Sequence, residues 1–373
     1  MSRRLALPVV VLCTVGLLAA LALPFAHVAP NRLLSGEARS PHAWMLALAW
    51  VMLAAASWER WPRGVSVACT AVFAVALPWL LANDASLWLA TARATTRVQA
   101  GAGFWTMWLS AGLLLLDRLR AWRPAWRVTT WAAVAGVTVV SAGMGRFDDV
   151  AVVREFHAQH DAFVDALLIH LRLSASTLLI ALVIGAPLGF QAWRARRAGG
   201  ALVGVLAFLQ TVPSLALFAL LIGPFAWLAR QWPALGALGF GGTGAAPAVF
   251  ALVLYALLPV VRYTMTGLDA VPADTREAAR GLGMTRWQLL ARVQLPLGWP
   301  VLLAGLRIVA VQTIGLAAVA ALIGAGGLGR FVFLGIGQGA TDMVLLGTLA
   351  IIGLALAVDL LFQGLLAWTE RRA

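Results

Sequence analysis

Apolar residues run through the chain in long blocks separated by short polar clusters, without strict alternation of apolar and polar positions. A transmembrane helix needs about 17 to 25 such residues. Ten blocks qualify as candidate spans: roughly 5–25, 43–57, 64–82, 101–116, 127–144, 169–190, 200–222, 245–262, 299–323 and 343–367. The second and fourth are short for a span. The lack of period-two alternation selects helices over a β-barrel. The first block has the basic start of a secretory signal. Its apolar run exceeds the roughly 7 to 15 residues of one, and no small-residue cleavage site follows, so it reads as the first membrane helix.

Two polar stretches interrupt this pattern. Around 146–168 the chain reads as an acidic amphipathic helix on the outer surface, with Val152, Val153, Phe156, Phe163 and Leu167 on one face. His157 and His160 are spaced i, i+3 beside Asp161. They lack a clear third ligand, so the plain reading is a solvated helical face and no metal site is assigned. The second stretch, 272–296, is "PADTREAARGLGMTRWQLLARVQLP". Asp274 to Glu277 and Thr285 to Gln288 both have capping-box spacing. Gly281 and Gly283 lie between, where a helix ends in a left-handed turn. Pro272 precedes and Pro296 follows. The pattern predicts two short helices, about 275–282 and 286–294. Ala278 and Ala279 leave the first with little bulk, and Trp287, Leu290 and Val293 give the second an apolar edge. Helices this short are marginal alone, so a packing partner is expected.

Composition agrees with a bilayer protein: 62% hydrophobic, 12% charged, mean hydropathy +0.88. All 28 basic residues are arginine. Without lysine the chain cannot form a G-x-x-x-x-G-K-[ST] phosphate loop, so any ATP hydrolysis of that kind belongs to another chain. No cofactor is assigned to this one.

The net charge of +13 is explained by topology rather than by nucleic acid. With the N-terminus inside, 18 arginines fall in inside segments, among them Arg3, Arg4, Arg60, Arg194, Arg196, Arg197, Arg276, Arg280, Arg286, Arg371 and Arg372. Eight fall outside, and the acids divide six to eight. That bias places both termini and the 272–296 stretch in the cytoplasm. Eleven of 17 tryptophans lie in the first 145 residues. Trp58, Trp61, Trp122 and Trp126 sit beside inside arginines, and Trp79, Trp88 and Trp105 near outer ends, as interfacial anchors do. Cys13 and Cys69 form no spaced motif and read as packing residues.

"EAARGLGMTRWQLLARVQLP" resembles the cytoplasmic EAA loop of bacterial ABC-importer permeases, whose pattern is E-A-A, three residues, Gly, nine residues, Ile-x-Leu-Pro. Here it runs Glu277-Ala278-Ala279, Gly283, then Val293-Gln294-Leu295-Pro296, with Val293 in place of Ile. "LQTVPSLALFALLIG" (209–223), "YALLPVVRYTMTGL" (255–268) and "VQTIGLAAVAALIGAGGLG" (311–329) resemble permeases for glycine betaine, choline, carnitine and related osmoprotectants. The resemblance covers about 150 to 367. The N-terminal helices resemble a longer-chain subgroup.

The resemblance implies an all-α polytopic fold with a type I (MetI-like) permease core of five helices in the C-terminal half. It implies ATPase coupling through Glu277, Ala278, Ala279, Gly283, Trp287, Leu295 and Pro296. The partners implied are an ABC ATPase subunit, a second permease subunit (identical or paralogous) and a periplasmic substrate-binding protein, all at a bacterial inner membrane. Three regions follow: 1–145, five helices; 146–168, a periplasmic helix; and 169–373, the core with its loop at 272–296.

Polar groups inside spans are costly and need a use. Gln210, Thr211 and Ser214 flank Pro213, which breaks a helix locally, and Gln312 and Thr313 lie in the next-to-last span. They are candidates for lining a translocation path, set against helix–helix hydrogen bonding. "GAGGLG" (324–329) matches a dinucleotide-loop pattern without the preceding strand that pattern requires, so it reads as a turn. Asp359 is the only clear acid within a span. An ABC permease for another solute, such as methionine, shares the loop. An ion-coupled secondary transporter would need more intramembrane acids or repeats, and a membrane enzyme would need a catalytic constellation.

Overall fold

The computed structural model describes residues 7–32, 34, 36–57, 62–237 and 239–370. Arg3, Arg4, Trp58, Arg60, Trp61, Arg371 and Arg372 lie outside the described residues. Each apolar block but one falls in a single helix. Among the described residues, six helices are long and apolar enough to cross a membrane by length and composition, and three more apolar helices are shorter. The chain divides into two compact units. One holds the residues up to Ala158 with Gly335–Met343, and the other holds Gln159–Leu334 with the remainder from Val344.

The first unit is built on α1 (Leu7–Ala22), α2 (Ala43–Ala56), α3 (Arg63–Leu89), α4 (Ala102–Leu119) and α5 (Pro124–Gly143). α1 packs against α2 and α4, and α3 against α4. Its core holds Trp50, fully buried and edge-on to Phe73 at 5.2 Å, and Phe25 edge-on to Phe104 at 5.9 Å. Between the helices lies a small antiparallel sheet that the apolar pattern did not announce. Its strands are β1 (Ala26–Ala29), β2 (Glu37–Arg39) and β3 (Arg97–Ala100), in the order β2-β1-β3, with His27 opposite both Ala38 and Gln99. Strands of three or four residues are too short for alternation to register. Polar contacts tie this end together. His42 Nε2 lies 3.0 Å from Asp84 Oδ1, and Arg154 donates to the carbonyls of Thr96 and Ala94 at 3.0 Å each. Arg39 and Arg146 lie over the Trp88 and Trp79 rings.

The amphipathic segment departs from expectation. α6 (Ala151–Ala158) stops before Gln159, whose backbone leaves the helical region (φ −125°, ψ 27°), and α7 starts at His160. Phe163 and Leu167 therefore belong to α7 (His160–Arg194), which runs on into a span. On α6 the buried positions are Ala151 and Glu155, while Val152, Val153 and Phe156 are half-buried. Glu155 is paired with Arg32 at 3.3 Å. The five apolar residues thus do not form one buried stripe on one helix.

In the second unit α7 packs on α11 (Ala245–Asp269), which also meets α14 (Leu295–Val319), α8 (Arg196–Thr211) and α9 (Ser214–Gln231). α11 is the hub: 61% of its most apolar stretch is buried, against 11% for α16 (Thr341–Glu370), whose surface is left for lipid or partners. The span read at 200–222 is a correction, because the structure splits it. α8 ends at Thr211, and α9 begins at Ser214 with Pro213 at its cap. Proline cannot donate the bond that would carry α8 onward, and it disfavours helical backbone at Val212. α10 (Pro233–Ala237) is a single turn. α11 and α14 cross closely where Gly267 meets Gly298; a Cβ on Gly298 would sit 2.4 Å from the Gly267 carbonyl oxygen. Close approach of small residues is the usual route to tight helix packing in lipid.

Beyond α14 a 3-10 turn (Ala320–Ile323) leads into the glycine stretch, where Gly324, Gly326 and Gly327 all take positive φ. That is a turn built on left-handed backbone, which glycine adopts without a Cβ penalty. It is followed by α15 (Gly329–Gln338), a helix the sequence reading did not assign.

Candidate functional site

The polar stretch folds as two helices around a glycine turn. α12 (Ala273–Gly281) begins after Pro272, and Asp274 lies in its first turn instead of capping it. The first of the two capping boxes is therefore not formed. Pro272 already fixes the entry to the helix, and an acid in the first turn still favours the helix dipole.

The exit of α12 is a complete Schellman motif. The Met284 N–H donates to the Ala279 carbonyl at 3.2 Å, and the Gly283 N–H donates to the Arg280 carbonyl at 2.9 Å. Gly283 takes φ +81°, and Gly281 remains helical, so Gly283 carries the left-handed position. The second box is formed in full: Thr285 Oγ1 accepts from the Gln288 N–H at 3.3 Å, and Gln288 Oε1 accepts from the Thr285 N–H at 2.8 Å.

The second helix does not end at Pro296. α13 (Arg286–Leu289) passes into a π turn (Leu290–Gln294) and then directly into α14, so 286–323 is one helical rod. The wider π turn moves the proline ring off the carbonyl it would otherwise strike, and Pro296 falls in the first turn of α14, where its missing N–H is tolerated.

Ala279 is buried, while Glu277, Ala278 and Pro296 are exposed and Leu295 is 46% exposed. The apolar knobs of the loop are Leu282, 80% exposed, and Trp287, 73% exposed. Sequence reasoning named Trp287 and missed Leu282. The available signal was an aliphatic residue held between two glycines.

The path candidates separate. Gln210 Nε2 donates to the Tyr255 carbonyl at 2.8 Å, and Tyr255 Oη donates to the Val212 carbonyl at 2.5 Å. These two bonds staple the α8–α9 break to α11. Thr211 is exposed, its hydroxyl donating to the Phe208 carbonyl, and Ser214 is half-buried at the start of α9. On α14, Gln312 is exposed and Thr313 buried. Neighbouring helical positions diverge by about 100°, so the two do not share a surface.

A polar group the sequence reading left unpaired proves central. Arg307 on α14 grips Asp359 on α16 with two bonds, Nε to Oδ1 at 2.5 Å and Nη2 to Oδ2 at 2.9 Å. Gln363 Nε2 adds a third at 2.7 Å. An arginine and an acid in separate spans are each expensive in lipid, and pairing offsets that cost.

An apolar helical core carrying an exposed, doubly capped polar loop is the architecture of an ABC-importer permease subunit. A family model described as "Binding-protein-dependent transport system inner membrane component" matches residues 181–373, just over half the chain. A second, "ABC transporter permease YehY, N-terminal domain", matches residues 3–153. The osmoprotectant import permease protein OsmW of Salmonella typhimurium is 41% identical over 196 residues, 52% of this chain and 86% of that one. The carnitine transport permease protein OpuCB of Listeria monocytogenes is 38% identical over 190 residues, 51% of this chain and 80% of that one. A solved chain of the MetNI methionine ABC transporter shares the fold at TM-score 0.50 and 19% identity, covering 57% of this chain and 98% of that one. The chain belongs to the family of binding-protein-dependent transport system inner membrane components. It is a multi-pass membrane subunit of a transporter.

Proposed function

We propose that this chain is the permease subunit of an ATP-driven importer for glycine betaine or related quaternary ammonium osmoprotectants. The loop at 274–296, with both termini, faces the cytoplasm and docks in a separate ATPase chain. Two permease copies, identical or paralogous, form the pathway, and a periplasmic binding protein delivers the solute. The observation that carries the coupling role is the loop geometry. Schellman turn and capping box hold Leu282 and Trp287 outward, and Trp287 stands on a helix continuous with α14, so force applied at the loop reaches the membrane. The solute class rests on the osmoprotectant, carnitine and choline permeases that the chain resembles. Nucleotide binding drives the cycle only through its unequal affinity for the two states of the assembly.

The test is uptake into proteoliposomes holding the chain with its ATPase and binding protein. Labelled glycine betaine, choline or carnitine accumulates with ATP and methionine does not; preferential methionine uptake would overturn the solute assignment. Glu277→Arg and Gly283→Pro release the ATPase on co-purification. Retained ATPase with full uptake in both would overturn the coupling role.

A further inference from the structure

A cleft of about 950 Å³ opens between the loop end of α7 and the helices of the 272–296 loop. Three guanidinium groups line it: Arg194 in the last turn of α7, Arg280 in the last turn of α12, and Arg286 at the start of α13. No carboxylate lines the cleft, and none of the three arginines forms an ion pair among the described residues. One wall is aromatic. Phe190 and Trp193 stack at 6.0 Å, and the Trp193 indole is fixed by a 2.8 Å bond from Nε1 to Asp269 Oδ1. Gln294, in the π turn, also lines the cleft. It is 4% exposed, and its side chain has no hydrogen-bond partner among the described residues. As a side-chain amide lining the cleft, it can donate to an acceptor bound there.

We propose that this cleft binds the phosphate of an anionic phospholipid headgroup. The chemistry calls for an anion with several acceptor oxygens, matching guanidinium forks and an amide donor. The height calls for lipid. Tryptophan followed by arginine at the end of a membrane helix marks the headgroup level, and Phe190 lies one turn deeper, where acyl chains begin. Basic pockets between helices on the cytoplasmic side are suited to anionic headgroups. A bound headgroup bridges α7 to both loop helices, because Arg194 belongs to the first and Arg280 and Arg286 to the others. It therefore holds the loop in register with the membrane surface. This inference rests on the reading that the loop faces the cytoplasm.

The test is lipid retention by the full-length chain in detergent, read by native mass spectrometry and thermal shift. The probes are phosphatidylglycerol, phosphatidylcholine and inorganic phosphate. Wild type retains phosphatidylglycerol over phosphatidylcholine, and millimolar inorganic phosphate leaves its melting unchanged. Arg194→Gln with Arg280→Gln and Arg286→Gln lowers phosphatidylglycerol retention about 100-fold, from about fivefold per guanidinium. A charge-matched control, Arg197→Gln with Arg262→Gln and Arg292→Gln, keeps it. If the triple variant is not monodisperse, Arg194→Gln alone, outside the loop, is read for its fivefold loss.

Equal retention by the cleft and control variants overturns the site. Equal binding of inorganic phosphate overturns the lipid assignment in favour of a free anion. Loss of retained lipid when the ATPase subunit binds overturns it in favour of an acidic side chain of that subunit. Uptake plays no part in this readout, so a failed lipid result leaves the importer assignment standing, and a failed uptake assay leaves the lipid site standing.

Discussion

At the scale of single residues, Gly283, Thr285 and Asp359 carry consequences that their side chains alone would not announce. Gly283→Ala places a Cβ on left-handed backbone at φ +81° and costs about 1–2 kcal/mol locally. We expect weaker retention of the ATPase subunit on co-purification with little change in the melting of the membrane core. Thr285→Ala removes a formed cap and costs about 1 kcal/mol, with the same readout and a smaller effect. Asp359→Asn leaves Arg307 without its charge partner. A loss of about 2–3 kcal/mol follows, visible as a lower melting temperature in detergent. The exchange Arg307→Asp with Asp359→Arg recovers part of it if the pair itself is the cause. The loop glycine and threonine were legible because turn and cap chemistry is local. The ion pair was not, because its members lie 52 positions apart in chain order. Nothing in the sequence says which faces of α14 and α16 meet.

At the scale of elements, the apolar runs located the helices well because hydrocarbon thickness sets both their length and their composition. They failed where a helix is interrupted or extended by backbone chemistry. Pro213 was seen as a local break, yet the run around it was still read as one span; the structure gives two helices stapled to α11 by Gln210 and Tyr255. Tyr255→Phe removes one staple and lowers stability by about 1 kcal/mol. Gln210→Ala and Gln312→Ala then separate two roles. The first shifts melting, since its amide holds the break. The second, on an exposed face of α14, leaves melting unchanged and reduces uptake if that face borders the path. Unchanged uptake in both folded variants would remove these residues from the pathway. The short sheet and α15 escaped the sequence for a simpler reason: three- and four-residue strands and a ten-residue helix fall below the length at which periodicity decides.

At the scale of the whole molecule, the arginine bias makes a claim that chemistry can check. In a chain with Cys13 and Cys69 replaced, a cysteine at Asp161, which is fully exposed, should react with an impermeant maleimide in spheroplasts. One at Leu282 should react only after permeabilisation, and the reverse pattern would invert the topology. The rod from Arg286 to Ile323 adds a constraint of a different kind. A continuous helix fixes angular phase as well as position, at about 100° per residue. Inserting one alanine within 290–294 would therefore turn Trp287 and its α13 neighbours about a quarter-turn or more around the axis while displacing them only about 1.5 Å along it. Inserting four residues would nearly restore their bearing at a cost of about 6 Å in reach. If the partner reads bearing, the four-residue insertion works better than the single one; if it reads reach, the order reverses. The uninterrupted rod thus makes the junction a vernier, on which azimuth and distance can be dialled separately.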